Sequence, residues 1–89
     1  MLATDPNAAQ AHANRGSVLH ELRRFAEALA SCDRALASRS DVAEAHAIRG
    51  NALCGLQRYE EALVSYDRAL ALRPAMAEVY YNRGNALHE

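Results

Sequence analysis

The reactive side chains of this chain are two cysteines, four histidines and eleven carboxylates, and their spacing decides what chemistry they can do. Cys32 and Cys54 stand apart, with no CxxC and no metal-ligand interval around them. Each reads as a small apolar thiol rather than half of a disulfide or a metal pair. His12 and His46 fall in matching places, and a slot that repeats in an apolar pattern suits a half-buried packing residue better than a base. His20 and His88 lack a second ligand at a useful interval. There is no nucleophile elbow, no glycine-rich phosphate loop and no pair of carboxylates on one face, so neither catalysis nor a cofactor is expected. Arginine is the chemistry that recurs, at Arg15, Arg49 and Arg83. Its expected role is structural, with stems over apolar surface and heads paired to Asp33 and Asp67 or to Glu44 and Glu78.

These residues must be positioned by a small scaffold. A chain of 89 residues makes one small domain at most, of a size that buries roughly 60 to 65% of its unfolded surface. The net charge is −1 and every basic residue is arginine, which gives no support to nucleic acid or an anionic membrane as partner. No apolar run approaches the roughly 20 residues of a membrane span. Residues 1–7 have neither the basic nor the apolar region of a secretion signal, so the expected location is the cytoplasm.

The organising signal is repetition. Gly16, Gly50 and Gly84 stand 34 residues apart, and residues 9–42 laid over 43–76 agree at 19 of 34 positions. Within each unit two apolar stripes of helical spacing are separated by a short polar break at Arg23 and Arg24 or at Gln57 and Arg58. The pattern predicts helices over 7–21, 25–38, 41–54, 59–72 and 75–88, consecutive ones antiparallel. Asp5 before Pro6 reads as a helix start, Asp41 with Glu44 as a capping box, and Pro74 as the third entry. Gly16 and Gly50 lie in helix interiors, where glycine costs about 1 kcal/mol against alanine. Close helix approach is the reason expected, with Ala28, Ala35, Ala62 and Ala69 as the facing small residues and Leu19, Leu22, Phe25 and Leu29 filling the seams with their counterparts.

The unit resembles a tetratricopeptide repeat. The 34-residue period, Gly16 and Gly50, Ala28 and Ala62, Phe25 and Tyr59, Ala35 and Ala69, and Pro6 and Pro74 carry the likeness over essentially the whole chain. It implies an all-α fold, a right-handed α-solenoid of antiparallel helix pairs with about two and a half units. Residues 1–8 would be the tail of a preceding unit and turn, 9–42 repeat 1, 43–76 repeat 2, and 77–89 the first helix of a truncated repeat 3, as in a segment of a longer array. The family's usual tryptophan is His12, His46 and Tyr80 here, and the turn glycine is Arg23 and Gln57, so a non-glycine residue is expected at positive φ.

Proteins of this kind bind peptides or partner domains in a groove lined by the first helix of each unit. Carried across by register, the groove residues are Asn14, Ser17 and His20, then Ile48 and Asn51, then Tyr81, Asn82 and Asn85, with Gln10, Glu21, Glu44, Cys54 and Glu78 beside them. An asparagine amide meets both the N–H and the C=O of an extended peptide, which makes Asn14, Asn51, Asn82 and Asn85 the expected contacts. One subfamily grips the carboxylate tails of chaperones with lysines. This chain has none, and two of the cation positions read Ala13 and Glu78. Another, the repeat region of glycosyltransferases similar to O-linked N-acetylglucosamine transferases, carries an asparagine ladder that Asn14 and Asn82 match and Ile48 interrupts. The expected partner is a protein or peptide. A second expectation is homo-oligomerisation through uncapped ends, centred on Tyr80, Gly84 and Leu87.

Overall fold

A computed structural model describes residues 6–88. Five helices follow one another: α1 (Pro6–Glu21), α2 (Phe25–Ser38), α3 (Ala43–Gly55), α4 (Tyr59–Leu72) and α5 (Ala77–Leu87). α1 packs on α2 and α3 on α4 as antiparallel pairs; α3 also packs on α2 and α1, and α5 on α4 and α3. The described residues hold no strand.

The two tight turns are built alike. Arg23 and Gln57 both sit at φ 62°, the left-handed region that costs a non-glycine residue about 1 kcal/mol. Each turn recovers that cost through paired backbone bonds: Arg23 N–H to His20 O and Arg24 N–H to Leu19 O in the first, Gln57 N–H to Cys54 O and Arg58 N–H to Leu53 O in the second. The expected capping box does not form. Asp41 accepts two hydrogen bonds from Arg39 instead, at 3.1 and 2.9 Å, and α3 starts two residues later with Val42 as its cap and no side-chain cap bond. α5 likewise begins at Ala77 rather than 75. The cap expected at Asp5 lies outside the described residues.

Alanine dominates the interior, with Ala28, Ala35, Ala62 and Ala69 fully buried along α2 and α4. Leu53 and Tyr66 are the largest fully buried side chains. The interior glycines do mark close approaches, but not to alanine side chains. A Cβ at Gly16 would stand 2.8 Å from Cys32 Sγ, and one at Gly50 would stand 2.5 Å from the Tyr66 ring. Leu22, expected in a seam, points outward and is 60% exposed. His46 is buried with its Nε2 3.0 Å from the Ser40 carbonyl, so it serves packing and a loop bond.

The arginine column ties the stack together. Arg49 donates from Nε to Asp33 on α2 at 2.8 Å and from Nη1 to Ser65 on α4 at 2.7 Å. Arg15 repeats the serine half with Ser31 at 2.6 Å, and Arg83 the aspartate half with Asp67 at 2.6 Å. One side chain thereby joins two repeats through two acceptors on different helices, its bonds leaving from two separate nitrogens of the planar guanidinium fork.

Candidate peptide groove

α1, α3 and α5 lie side by side, and the face they present holds two adjoining cavities. The first, of about 340 Å³, takes Asn14, Ser17, His20 and Glu21 from α1, Glu44, Ala47, Ile48 and Asn51 from α3, and Glu78, Val79 and Asn82 from α5, with Met76 just before it. The second, of about 430 Å³, continues past His20, Asn51 and Asn82 to Phe25, Cys54, Tyr59, Tyr66 and Asn85, with Arg23 at its edge. Side chains separated by a whole repeat meet here because the helical period places residues 14, 48 and 82 in one register.

Of the residues assigned from sequence, Asn14, Ser17, His20, Ile48, Asn51 and Asn82 line the first cavity and Asn85 the second. Tyr81 lines neither and is 71% exposed. It shares a register with Ala13 and Ala47, which are buried, Ala47 also lining the first cavity; on α5 that position is left exposed. Phe25, Tyr59 and Tyr66, expected from the sequence to pack, also line the second cavity; Tyr59 and Tyr66 do pack in the core. The signal was present, since the aromatic at positions 25 and 59 repeats with the period.

The asparagines form an oriented relay. Buried Tyr66 donates from its hydroxyl to Asn51 Oδ1 at 2.5 Å, and Asn82 Nδ2 donates to the same oxygen at 3.1 Å. These bonds engage Asn51 through Oδ1 and Asn82 through Nδ2, which leaves the Asn51 amide donor and the Asn82 carbonyl acceptor on residues that line both cavities. Gln10 Nε2 fixes Asn14 in the same sense, donating to its Oδ1 at 3.0 Å and to Glu44 at 3.3 Å. Burial, and next the contact with Cys54 Sγ at 3.6 Å, push the Tyr66 phenol above its ordinary pKa, so it remains a neutral donor. At the far end His20 tilts against Phe25 with ring centroids 5.4 Å apart, and Arg23 stands over the same ring at 5.5 Å.

Among the described residues no group of three or more His, Cys, Asp and Glu could hold a metal. Cys32 is buried away from the groove, and burial with help from Asp33 pushes its thiol up to about 12, which makes it inert. No described helix is long and apolar enough to cross a membrane. The residues assigned to self-association sit on another side of α5. Tyr80 and Leu87 are 55% and 57% exposed, and a Cβ at Gly84 would meet nothing within 4 Å.

Stacked helix pairs with a polar, asparagine-lined face define an α-solenoid recognition scaffold. The sequence agrees: residues 2–43 match the tetratricopeptide repeat model and residues 50–89 a second TPR repeat model, so the chain belongs to the tetratricopeptide repeat family. Neither model describes a catalytic domain. No curated protein sequence matches the chain. Among solved structures, the first TPR domain of human RPAP3 is similar with a TM-score of 0.89 and 32% identity, over 94% of this chain and 66% of that one. The first TPR of Spaghetti (RPAP3), bound to the HSP90 peptide SRMEEVD, gives 0.88 and 32%, over 94% and 67%. The Arabidopsis OM64 TPR domain gives 0.87 and 27%, over 91% and 67%. This chain thus spans about two thirds of the length of these structures.

Proposed function

We propose that the chain is a non-catalytic interaction module that holds an extended peptide along the groove of α1, α3 and α5. The observation that carries this is the Tyr66–Asn51–Asn82 relay, whose two bonds leave one amide donor and one carbonyl acceptor on neighbouring helices that line the groove. An extended backbone offers the complementary acceptor and donor. The peptide on the Spaghetti relative supports the same use of the scaffold.

The test is selection of binders from displayed random peptides, followed by calorimetric titration of the best one. Asn82→Ala and Asn85→Ala should each weaken binding about fivefold, the worth of one hydrogen bond of about 1 kcal/mol. Arg34→Ala and Arg68→Ala, on the second helices, should leave it unchanged. Loss of affinity from the outer arginines alone would assign recognition to the other face.

A second reading rests on α5. Leu87 shares its register with Leu19 and Leu53, both buried, yet it stands exposed beside Tyr80. An uncovered apolar strip of this kind favours self-association through α5 as an additional property. The glycosyltransferase origin is not carried further, since the ladder is broken at Ile48 and neither family model nor the three solved structures describes such an enzyme.

A further inference from the structure

Charge is sorted between the faces of this molecule. Five ion pairs join Arg24 to Glu27, Arg39 to Asp41, Arg49 to Asp33, Arg58 to Glu61 and Arg83 to Asp67. None of these residues lines either groove cavity. Of the described carboxylates left without an ion pair, Glu21, Glu44 and Glu78 all line the first cavity, and only Glu60 lies elsewhere. No arginine lines that cavity. Arg23 stands at the edge of the second, over Phe25, and Arg73 flanks Glu44 and Glu78 in a separate shallow cleft without pairing to either. A concave surface with carboxylates of one sign concentrates its field on whatever enters.

From this we infer that the groove selects a cationic extended peptide, one carrying two Lys or Arg side chains two residues apart, on the same face of the chain. The inference rests on the groove reading above and adds the partner's chemistry to it. Its spacing comes from geometry. Glu44 and Glu78 hold equivalent places on neighbouring first helices, and packed helices lie roughly 8 to 10 Å apart; side chains on one face of an extended chain are two residues, about 6.6 Å, apart, and the long Lys or Arg stems span the remainder. Gln10 continues the same row on α1 and bonds Glu44 without neutralising it. A peptide such as SRMEEVD, with three acidic side chains against one arginine, would meet repulsion here.

The experiment titrates ¹⁵N-labelled protein with three acetylated and amidated peptides of a Ser, Leu and Asn background: one with two Lys two positions apart, one with Glu in their place, one with Ser. The Lys peptide is expected to move the side-chain amide signals of Asn14, Asn51 and Asn82 and to weaken as salt rises from about 0.02 to 0.15 M. Glu44→Gln and Glu78→Gln should each raise its Kd about threefold and together about tenfold, with Glu60→Gln without effect. An unchanged Kd in the double variant, no binding of the Lys peptide, or equal binding of the Glu peptide would overturn the inference. If the Ser or Glu peptide moves the asparagine signals instead, the groove reading stands and the charge preference falls. If the Lys peptide moves only signals outside the groove, both fall.

Discussion

Three glycines in one register allow a test in which the same substitution has opposite signs. At Gly50 an added Cβ would stand 2.5, 2.6 and 2.9 Å from three atoms of the Tyr66 ring. That ring cannot step aside, being 1% exposed and tied through its hydroxyl to Asn51. Relief must come from separating α3 and α4, an overpacking cost of about 1 to 3 kcal/mol, offset by up to about 1 kcal/mol of helix propensity. Gly50→Ala should therefore destabilise by about 1 to 2 kcal/mol, a fall in Tm of roughly 5 to 15 °C for a domain this small. Gly16→Ala meets Cys32 Sγ at 2.8 Å and the Ala28 carbonyl at 3.4 Å; one sulfur yields more readily than a ring, so its loss should be smaller. Gly84→Ala meets nothing within 4 Å and should gain about 0.5 kcal/mol from propensity alone, less than mid-helix because α5 ends three residues later. Thermal and urea melts of the three variants give the order directly. A Gly50→Ala protein as stable as Gly84→Ala would refute the assignment of Gly50 to the helix seam.

Two further outcomes follow from burial. The folded-state pKa of Cys32 lies above its ordinary value near 9.0, so its contribution to stability is whole below pH about 9 and is lost as pH rises through about 12, at up to about 1.4 kcal/mol per pH unit. Urea midpoints near pH 8 and 10.5 should fall further for the unchanged chain than for Cys32→Ala, with equal falls refuting the account; Tyr66 adds the same sign in both proteins. The second outcome concerns the apolar strip on α5: Tyr80→Glu with Leu87→Glu should give a monomer by light scattering at concentrations where the unchanged chain associates, and an unchanged chain that stays monomeric throughout sinks the self-association reading.

The fold was legible because one period carries it. Register placed the helix pairs, and the resemblance to the repeat family placed the left-handed Arg23 and Gln57; of the two sets of acids expected for the arginine column, Arg49 and Arg83 take Asp33 and Asp67 rather than Glu44 and Glu78. Local competition was not legible. Asp41 had a helix N-terminus and an arginine within reach, and pairing with Arg39 won, so the cap passed to Val42. Tyr81 shows a different limit. Periodicity gives it the address of Ala13 and Ala47 but not what lies against that address, and on α5 nothing described does.

The relay at the centre of the groove arises where the repeats disagree. Positions 32 and 66 are equivalent, yet one is cysteine and the other tyrosine. Both fill the space above a glycine, Gly16 or Gly50, so a reading based on packing treats them alike. Only Tyr66 extends past the seam, and its hydroxyl surfaces beneath Asn51, locking an amide that in turn aligns Asn82 on the next helix. In the first repeat Cys32 stops short and Asn14 is held by Gln10 from its own helix. The groove is therefore firm between α3 and α5, where a buried donor anchors it, and softer along α1, where an exposed glutamine does. On the proposed reading, peptide contacts through Asn51 and Asn82 would need less ordering on binding than those through Asn14, so affinity is expected to concentrate in the second half of the groove.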